Sequence, residues 1–168
     1  MRRILVRIAV GLGVAIAIIT LIGYALPQDH VASVTGHVPM PPQGVYTRLT
    51  EVERYPEWRK DVERIEVLSR APLKWREHAG GDVITFEMVE TMAPARVVSR
   101  IADPDLPFGG TWTYELSADG SGTRVTITER GQVYNPIFRF VSRFVFGHTA
   151  TMETLLDALA VDEPDEHR

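Results

Sequence analysis

The chain has 168 residues, of which 45% are hydrophobic and 24% charged, a composition typical of one globular domain with a real core. Its formal charge is −4, and apart from Arg2, Arg3 and Arg7 it holds 15 basic against 22 acidic side chains, an unfavourable balance for binding nucleic acid. The absence of cysteine excludes disulfides, thiol nucleophiles and thiolate metal sites.

An uncharged apolar segment of 19 positions, residues 8–26, follows the three arginines. As a helix it would be about 28 Å long, which matches the hydrocarbon core of a bilayer. Arginines on its N-terminal side predict a single-pass membrane protein with a cytoplasmic N-terminus and an extracytoplasmic domain. Two alternatives are a buried helix of a soluble protein and a cleaved signal peptide. Gly23-Tyr24-Ala25 has small residues where signal peptidase acts, although the apolar run exceeds the usual length of roughly 7 to 15.

A strand and two short helices are predicted next. Residues 31–38 alternate between apolar and polar and indicate a strand, which a group of prolines would end. These are Pro39, Pro41 and Pro42. Three apolar residues at helical spacing then predict a helix, namely Val45, Leu49 and Val52. The sequence Tyr55-Pro56-Glu57-Trp58 breaks that helix and begins a second short helical turn.

The middle of the chain predicts a meander of antiparallel strands with one apolar face, because apolar residues alternate with polar neighbours. The alternating groups are Ile65 and Val67; Trp75; Ile84, Phe86 and Met88; Val97 and Ile101; Trp112, Tyr114 and Leu116; and Val125 and Ile127. Glycines in residues 80–82 and 119–122 indicate hairpin turns between these strands.

The period changes to a helical one at Asn135-Pro136, where Asn can cap a helix and Pro can occupy its first position. A long apolar stripe follows and predicts one C-terminal helix that fades near Val161. The stripe contains Phe138, Val141, Val145, His148, Met152, Leu155, Leu156 and Leu159. Residues 162–168 are polar and are predicted to form a flexible tail.

Four short motifs, in this order, resemble the polyketide cyclase/dehydrase and lipid-transport branch of the START-related (SRPBCC) superfamily. They are Tyr55-Pro56-Glu57-Trp58 with Val62; Trp75-Arg76-Glu77; Phe108-Gly109-Gly110-Thr111-Trp112-Thr113-Tyr114; and Gly122-Thr123-Arg124-Val125-Thr126. The resemblance spans residues 30–160. It implies an α+β helix-grip fold, in which a curved antiparallel sheet of about seven strands wraps around a long C-terminal helix. Many relatives are soluble and cytoplasmic, so the N-terminal anchor departs from the family pattern.

The resemblance also implies an apolar cavity between the sheet and the last helix, which in the superfamily holds lipids, sterols, polyketides or other hydrophobic molecules. The expected division is therefore an anchor in residues 1–26, a ligand-binding domain in 27–161 and the tail. Candidate ligand-binding residues are Trp75, Phe86, Met88, Trp112, Tyr114, Ile127, Val145 and Met152. For the tryptophans the alternative is an ordinary place in the core, and for Tyr114 it is a hydroxyl that reaches water at the end of a strand.

Glu129 and His148 are the candidate catalytic residues. Counting by two from Val125 and Ile127 places Glu129 on the apolar face, where an unpaired charge is costly. A β-bulge near Gly131, or the end of the strand, would instead rotate it into solvent. His148 lies on the apolar stripe and would face the same cavity, or would be a hydrogen-bonded core residue.

Three functions fit this sequence: a membrane-anchored binder or carrier of a hydrophobic small molecule, a cyclase or dehydratase enzyme using the same cavity, and an accessory protein with a filled core. The chain has no nucleophile elbow and no phosphate-binding glycine loop. The remaining histidines, His30, His37, His78 and His167, show no spacing typical of metal ligands. The expected partners are therefore a hydrophobic small molecule and the membrane, with no cofactor, metal or nucleic acid.

Overall fold

The computed structural model describes residues 2–146 and 149–161, and it contains seven strands in one antiparallel sheet. The order across the sheet is β1-β7-β6-β5-β4-β3-β2. The strands are β1 (Asp29–Val38), β2 (Val62–Arg70), β3 (Leu73–Ala79), β4 (Asp82–Met92), β5 (Arg96–Ile101), β6 (Phe108–Asp119) and β7 (Gly122–Val133). The α+β fold with a seven-stranded antiparallel sheet is thus confirmed.

Five α-helices accompany the sheet in the described residues. They are α1 (Arg2–Ala25), α2 (Pro42–Thr50), α3 (Tyr55–Trp58), α4 (Pro136–Val141) and α5 (Ala150–Ala160). A 3-10 turn, Val52–Arg54, joins α2 to α3, so the two short helices predicted before the meander are present.

Tight turns connect the strands where the glycines predicted them. Gly80 and Gly81 form the loop between β3 and β4 with φ of 57° and 87°, and Gly120 between β6 and β7 has φ of 63°. These left-handed conformations are costly for residues with a Cβ, and they match the twist of a two-residue hairpin. The register is fixed on either side, with Ala79 opposite Asp82 and Asp119 opposite Gly122.

The C-terminal segment starts as predicted and then changes its geometry. The Asn135 side chain accepts hydrogen bonds from the backbone N–H groups of Ile137 and Phe138 at 2.9 and 3.2 Å. After α4 the described residues form a π-helical segment, Ser142–Phe146, before α5 begins. The wider π turn rotates the residues that follow it, so α4 and α5 do not share the single stripe that a continuous α-helix would have.

The main core lies between α5, α2 and the strands β1, β7, β6 and β5. Its most deeply buried members are 0 or 1% exposed: Val38, Val45, Val97, Val125, Ile127, Met152 and Leu159. A second cluster lies at the β2 and β3 end of the sheet and consists of Val52, Tyr55, Val62 and Trp75.

Helix α1 extends away from this core. It is long and apolar enough to cross a membrane, and the most apolar part of it is not buried against the domain. Its one buried residue is Gly23, which lies so close to the Pro136 carbonyl that a Cβ would clash with it. The contact joins the C-terminal end of α1 to α4.

Candidate functional site

A cavity of about 420 Å³ lies between the inner face of the sheet and the helices α3 and α5. Its apolar and aromatic walls include Leu49, Tyr55, Trp58, Trp75, Phe86, Phe108, Trp112 and Leu155. Its polar lining includes Arg59, Asp61, Glu77, Ser99, Tyr114 and Glu129. A mostly aromatic wall with a few converging polar groups is the usual composition of a small-molecule site.

A cluster of three charged side chains lies on this wall. Arg59 follows α3, and its Nη2 lies 2.6 Å from Asp61 Oδ2 and 2.7 Å from Glu77 Oε1. Glu77 is 7% exposed and is held on β3 two residues beyond Trp75, so both side chains point to the same face. Burial opposes the charge of Arg59, but Glu77 and Asp61 outweigh it and raise the pKa of the guanidinium. The guanidinium therefore stays charged inside a largely apolar cavity.

Two buried tyrosines lie beside this cluster. The Tyr55 hydroxyl donates a hydrogen bond to the Leu49 carbonyl at 2.8 Å, and Arg59 lies over the Tyr55 ring at 5.5 Å. Burial raises the pKa of Tyr55 well above its ordinary value. Burial likewise raises the pKa of Tyr114, with Arg59 opposing the change and Glu77 adding to it. Both phenols are therefore neutral and keep their protons at physiological pH.

Aromatic rings form much of the cavity wall. Trp75 stacks on Phe86 at 5.5 Å, and Tyr55 meets Trp58 and Trp75 edge to face at 5.4 and 6.3 Å. Among the described residues, the buried indole N–H groups of Trp58 and Trp75 have no hydrogen-bond acceptor. An unpaired buried donor costs about 1–3 kcal/mol, so these rings are held by packing rather than by polar contacts.

Glu129 lies opposite Trp112 in the β6 and β7 pair, whose register runs unbroken past Gly131. Its carboxylate lines the cavity with a side chain that is 21% exposed, and its Oε1 is 3.7 Å from His30 Nε2. Burial lowers the pKa of His30, while the charge of Asp29 opposes the change. The strand therefore directs the carboxylate inward, with an imidazole from β1 close to it.

A second, smaller cavity of about 260 Å³ lies next to the first, between the sheet and α4. The two cavities share Phe108, Glu129 and Thr151 in their walls. Phe138 and Val141 of α4 line the smaller cavity, and Phe138 stacks on Phe108 at 6.4 Å. Glu129 and Phe108 thus stand at the junction between an inner cavity and an outer one beneath α4.

The structure brings some of the candidate residues together and separates others. Trp75, Phe86, Trp112, Tyr114 and Glu129 line the inner cavity. Ile127 and Met152 are 0% exposed in the filled core, and Met88 packs beside both clusters away from the cavity. The Val145 side chain and all of His148 lie outside the described part of the chain, so the approach of His148 to Glu129 stays a prediction.

Arg59, Asp61 and Glu77 were not candidates on sequence grounds. Glu77 could have been found by the count used for Glu129, because it lies two residues from Trp75 on the same strand. Arg59 could not, since it follows a four-residue helix in an irregular segment where no period indicates a direction.

The family model described as polyketide cyclase / dehydrase and lipid transport matches residues 38–159. This range holds every element from the end of β1 to α5, together with the whole wall of the inner cavity. No curated protein sequence matches the chain.

Three solved structures show the same fold. A protein from Thermus thermophilus is 26% identical with a TM-score of 0.65, covering 78% of this chain and 94% of that one. A START superfamily protein from Mycobacterium smegmatis is 17% identical with a TM-score of 0.63 and the same two coverages. The Zhui aromatase/cyclase from Streptomyces is 15% identical with a TM-score of 0.61, covering 79% and 92%. The last two likenesses are likenesses of fold.

Proposed function

The chain belongs to the polyketide cyclase/dehydrase and lipid transport family, and from that premise we propose that it is a membrane-anchored binder or carrier of a hydrophobic small molecule. The inner cavity is the observation that carries the proposal. Its volume of about 420 Å³ lies within the range of about 300–1,000 Å³ that is typical of small-molecule sites.

The lining of the cavity indicates the chemistry of the ligand. Trp75, Phe86 and Trp112 offer flat apolar surfaces that suit rings or acyl chains. Tyr114 and Arg59 place hydrogen-bond donors on the same wall. A mainly apolar molecule with an oxygen acceptor fits both parts of the lining.

The membrane anchor is the second part of the proposal. Helix α1 exposes its apolar side chains along most of its length, and its contacts with the described part of the domain lie near its C-terminal end. This arrangement supports a helix in lipid rather than a core helix, since a soluble protein would gain by burying such a surface. The arginines before the helix favour a cytoplasmic N-terminus and an extracytoplasmic domain.

The ligand proposal is tested on the domain that begins at Pro27, purified without detergent. We expect mass spectrometry of an organic extract to find a co-purifying hydrophobic compound. Apolar probes should also change the tryptophan fluorescence saturably and raise the melting temperature, because a ligand that binds only the native state stabilises it. A lipid and polyketide screen that gives no response by all three measures would favour an accessory protein with an unused cavity.

The anchor proposal needs its own experiment on the full chain. We expect the protein to resist alkaline carbonate extraction, and a periplasm-dependent reporter fused after Arg168 to be active. Activity of a cytoplasm-dependent reporter alone would reverse the orientation. A mature N-terminus near Leu26 would identify the segment as a cleaved signal peptide.

A second candidate, a cyclase or dehydratase enzyme, is favoured by the position of Glu129. Its carboxylate stands at the junction of the two cavities and on the same inner wall as the neutral Tyr114 hydroxyl. A proton acceptor and a proton donor on one cavity wall suit acid–base chemistry on a folded polyketone chain. His148 is the further proposed member of this group.

Glu129→Gln separates the two candidates because it keeps the shape of the side chain and removes its charge. An enzyme should lose about 10²–10⁴-fold in turnover of a polyketone substrate while its ligand-induced melting shift is kept. A carrier should show no turnover in either form. Glu129→Leu serves as a folding control, since an apolar side chain suits an apolar wall.

A further inference from the structure

Arg139 ties the end of the apolar helix to the ligand-binding domain. Its Nη1 donates to the carbonyls of Gly23 and Leu26 at 3.2 and 3.3 Å. Its Nε and Nη2 donate to the carbonyls of Val133 and Tyr134 at 2.8 and 2.9 Å. The last carbonyls of a helix carry partial negative charge and lack partners within the helix, so a guanidinium there is favourable. One side chain thus fixes α4 against both α1 and the end of β7.

The covalent connection between the anchor and the domain is also short. Only three residues separate the end of α1 at Ala25 from the start of β1 at Asp29. Fully extended, three residues span about 10 Å, so the part of the domain nearest α1 cannot move far from the end of that helix. That part is α4.

The surface presented there is apolar and basic. Residues 135–144 contain three phenylalanines and two arginines but no acidic residue. Ile137, Phe138 and Phe144 are 40, 48 and 60% exposed, so three large apolar side chains within eight consecutive residues face outward. Aromatic and aliphatic residues mixed with arginine are typical of helical segments that lie in the interface of a membrane.

This apolar surface also borders the cavities. Phe138 stacks on Phe108, and Phe108 lines both the outer and the inner cavity. The stacked rings of Phe108 and Phe138 therefore separate the exposed face of residues 136–144 from the cavities.

We propose that the exposed apolar face of residues 136–144, held beside α1 by Arg139, lies in the membrane interface, so that the outer cavity opens toward the bilayer and the hydrophobic ligand passes between lipid and the inner cavity at Phe138. The inference rests on the proposed membrane anchor and assigns the bilayer as the occupant of this face. Movement of the Phe138 ring away from Phe108 would join the cavities to the lipid without exposing the ligand to water.

The test uses the full chain in phosphatidylcholine vesicles. Because the sequence contains no cysteine, single cysteines at Ile137 or Phe144 can carry one environment-sensitive fluorophore each. Val89→Cys is the matched control, since Val89 is 51% exposed on β4, and Leu12→Cys in α1 reports the anchor itself. Lipids that carry a nitroxide near the glycerol end of the acyl chain serve as the quencher for the labels at 137 and 144. Lipids with the nitroxide deeper in the chain serve for Leu12.

We expect the labels at 137 and 144 to be quenched at least about twofold more than the label at 89. Arg139→Gln should reduce that difference while quenching at Leu12 is unchanged. If Leu12 is quenched and the labels at 137 and 144 behave like the label at 89, the docking inference is wrong and the anchor proposal stands. If Leu12 is not quenched, the anchor itself has failed. Signals at 137 and 144 that depend on protein dilution rather than on the quencher would assign the face to a second copy of the chain and overturn the inference.

Discussion

The two halves of the sheet are built differently. Beneath β1, β7 and β6, the side chains of Val125, Ile127 and Met152 have no exposed surface, and α5 covers them. Beneath β2, β3 and β4 the cover is mainly α3, which has four residues. There, Trp75 and Tyr55 border the inner cavity, which extends as far as Trp112 on β6 and Glu129 on β7, and an ion cluster lies on its wall.

The difference shows what makes a cavity in this fold. A helix of eleven residues brings enough apolar side chains to fill the space above three strands, whereas one turn of helix does not. Aromatic rings on the hollow side span distances that aliphatic residues would leave open. Packing should therefore stabilise the filled half, whereas the hollow half should bind the ligand and depend for its own stability on the pairing of its buried charges.

The largest effect on stability should come from breaking the ion cluster of the hollow half. Arg59→Met leaves the Glu77 carboxylate buried without its cation, which should lower the free energy of unfolding by about 3–5 kcal/mol. The double variant Arg59→Met/Glu77→Leu should recover most of this loss, since it removes both charges. Chemical denaturation of both variants measures the difference. A single variant as stable as the parent would show that the cluster is solvated.

In the filled half, Met152→Ala should cost about 2–5 kcal/mol, because Met152 is fully buried and its loss leaves a void. Asp157→Ala is the control, as it lies on the exposed face of the same helix and should change stability by less than about 0.5 kcal/mol. Ligand affinity, measured where both proteins are fully folded, should be nearly unchanged in the two variants. A large loss of affinity in Met152→Ala would place the ligand deeper than the inner cavity.

Filling the hollow half should have the opposite result. Ala79 lines the inner cavity, and Ala79→Phe adds a ring to that space. We expect at least about a tenfold loss of affinity for the ligand or an apolar probe, equivalent to about 1.4 kcal/mol. Stability should change by less than about 1 kcal/mol, since the ring enters empty volume. Val83→Phe, on an exposed position of β4, is the control and should bind normally.

The smallest effect should come from a charge cluster on the other face of the same strands. Glu87 lies 3.1 Å from both Lys74 and Arg100, and hydrogen bonds from Lys74 and then Arg100 lower the pKa of its carboxyl group. A lowered pKa in the folded state adds stability above the ordinary pKa of glutamate, and this stability is lost as the pH falls through the folded value. Glu87→Gln should therefore melt at a lower temperature than the parent near pH 7, and the difference should disappear in acid. A difference that is constant with pH would rule out the ionised pair as its cause.

Much of the sheet could be predicted from sequence because alternation reports which face a side chain occupies. Trp75, Phe86 and Trp112 were placed inward on that basis, and they line the cavity. Periodicity on a strand or on a helix cannot separate a cavity wall from a filled core. Ile127 and Met152 were therefore predicted to bind the ligand, like Trp112, although they pack in the core. That distinction depends on which helix lies opposite.

Contacts made by irregular segments were beyond the reach of periodicity. Arg139 donates to four carbonyls from two distant parts of the chain, and no pattern in the sequence indicated these contacts. Helical spacing gave its position on α4 but not the presence of α1 beside it. The change from α to π geometry at Ser142 was likewise hidden by an apolar stripe that continues through it.

The three-residue connector between α1 and β1 sets the range over which this protein could deliver a cargo. With α1 in a bilayer, the domain diffuses in two dimensions and stays within its own height of the membrane surface. It could exchange a molecule only with lipid or with another protein whose binding site reaches the same plane, and it could not shuttle across an aqueous compartment. A carrier tethered in this way would hold its ligand at one membrane, and the molecule that accepts the ligand would have to reach it there.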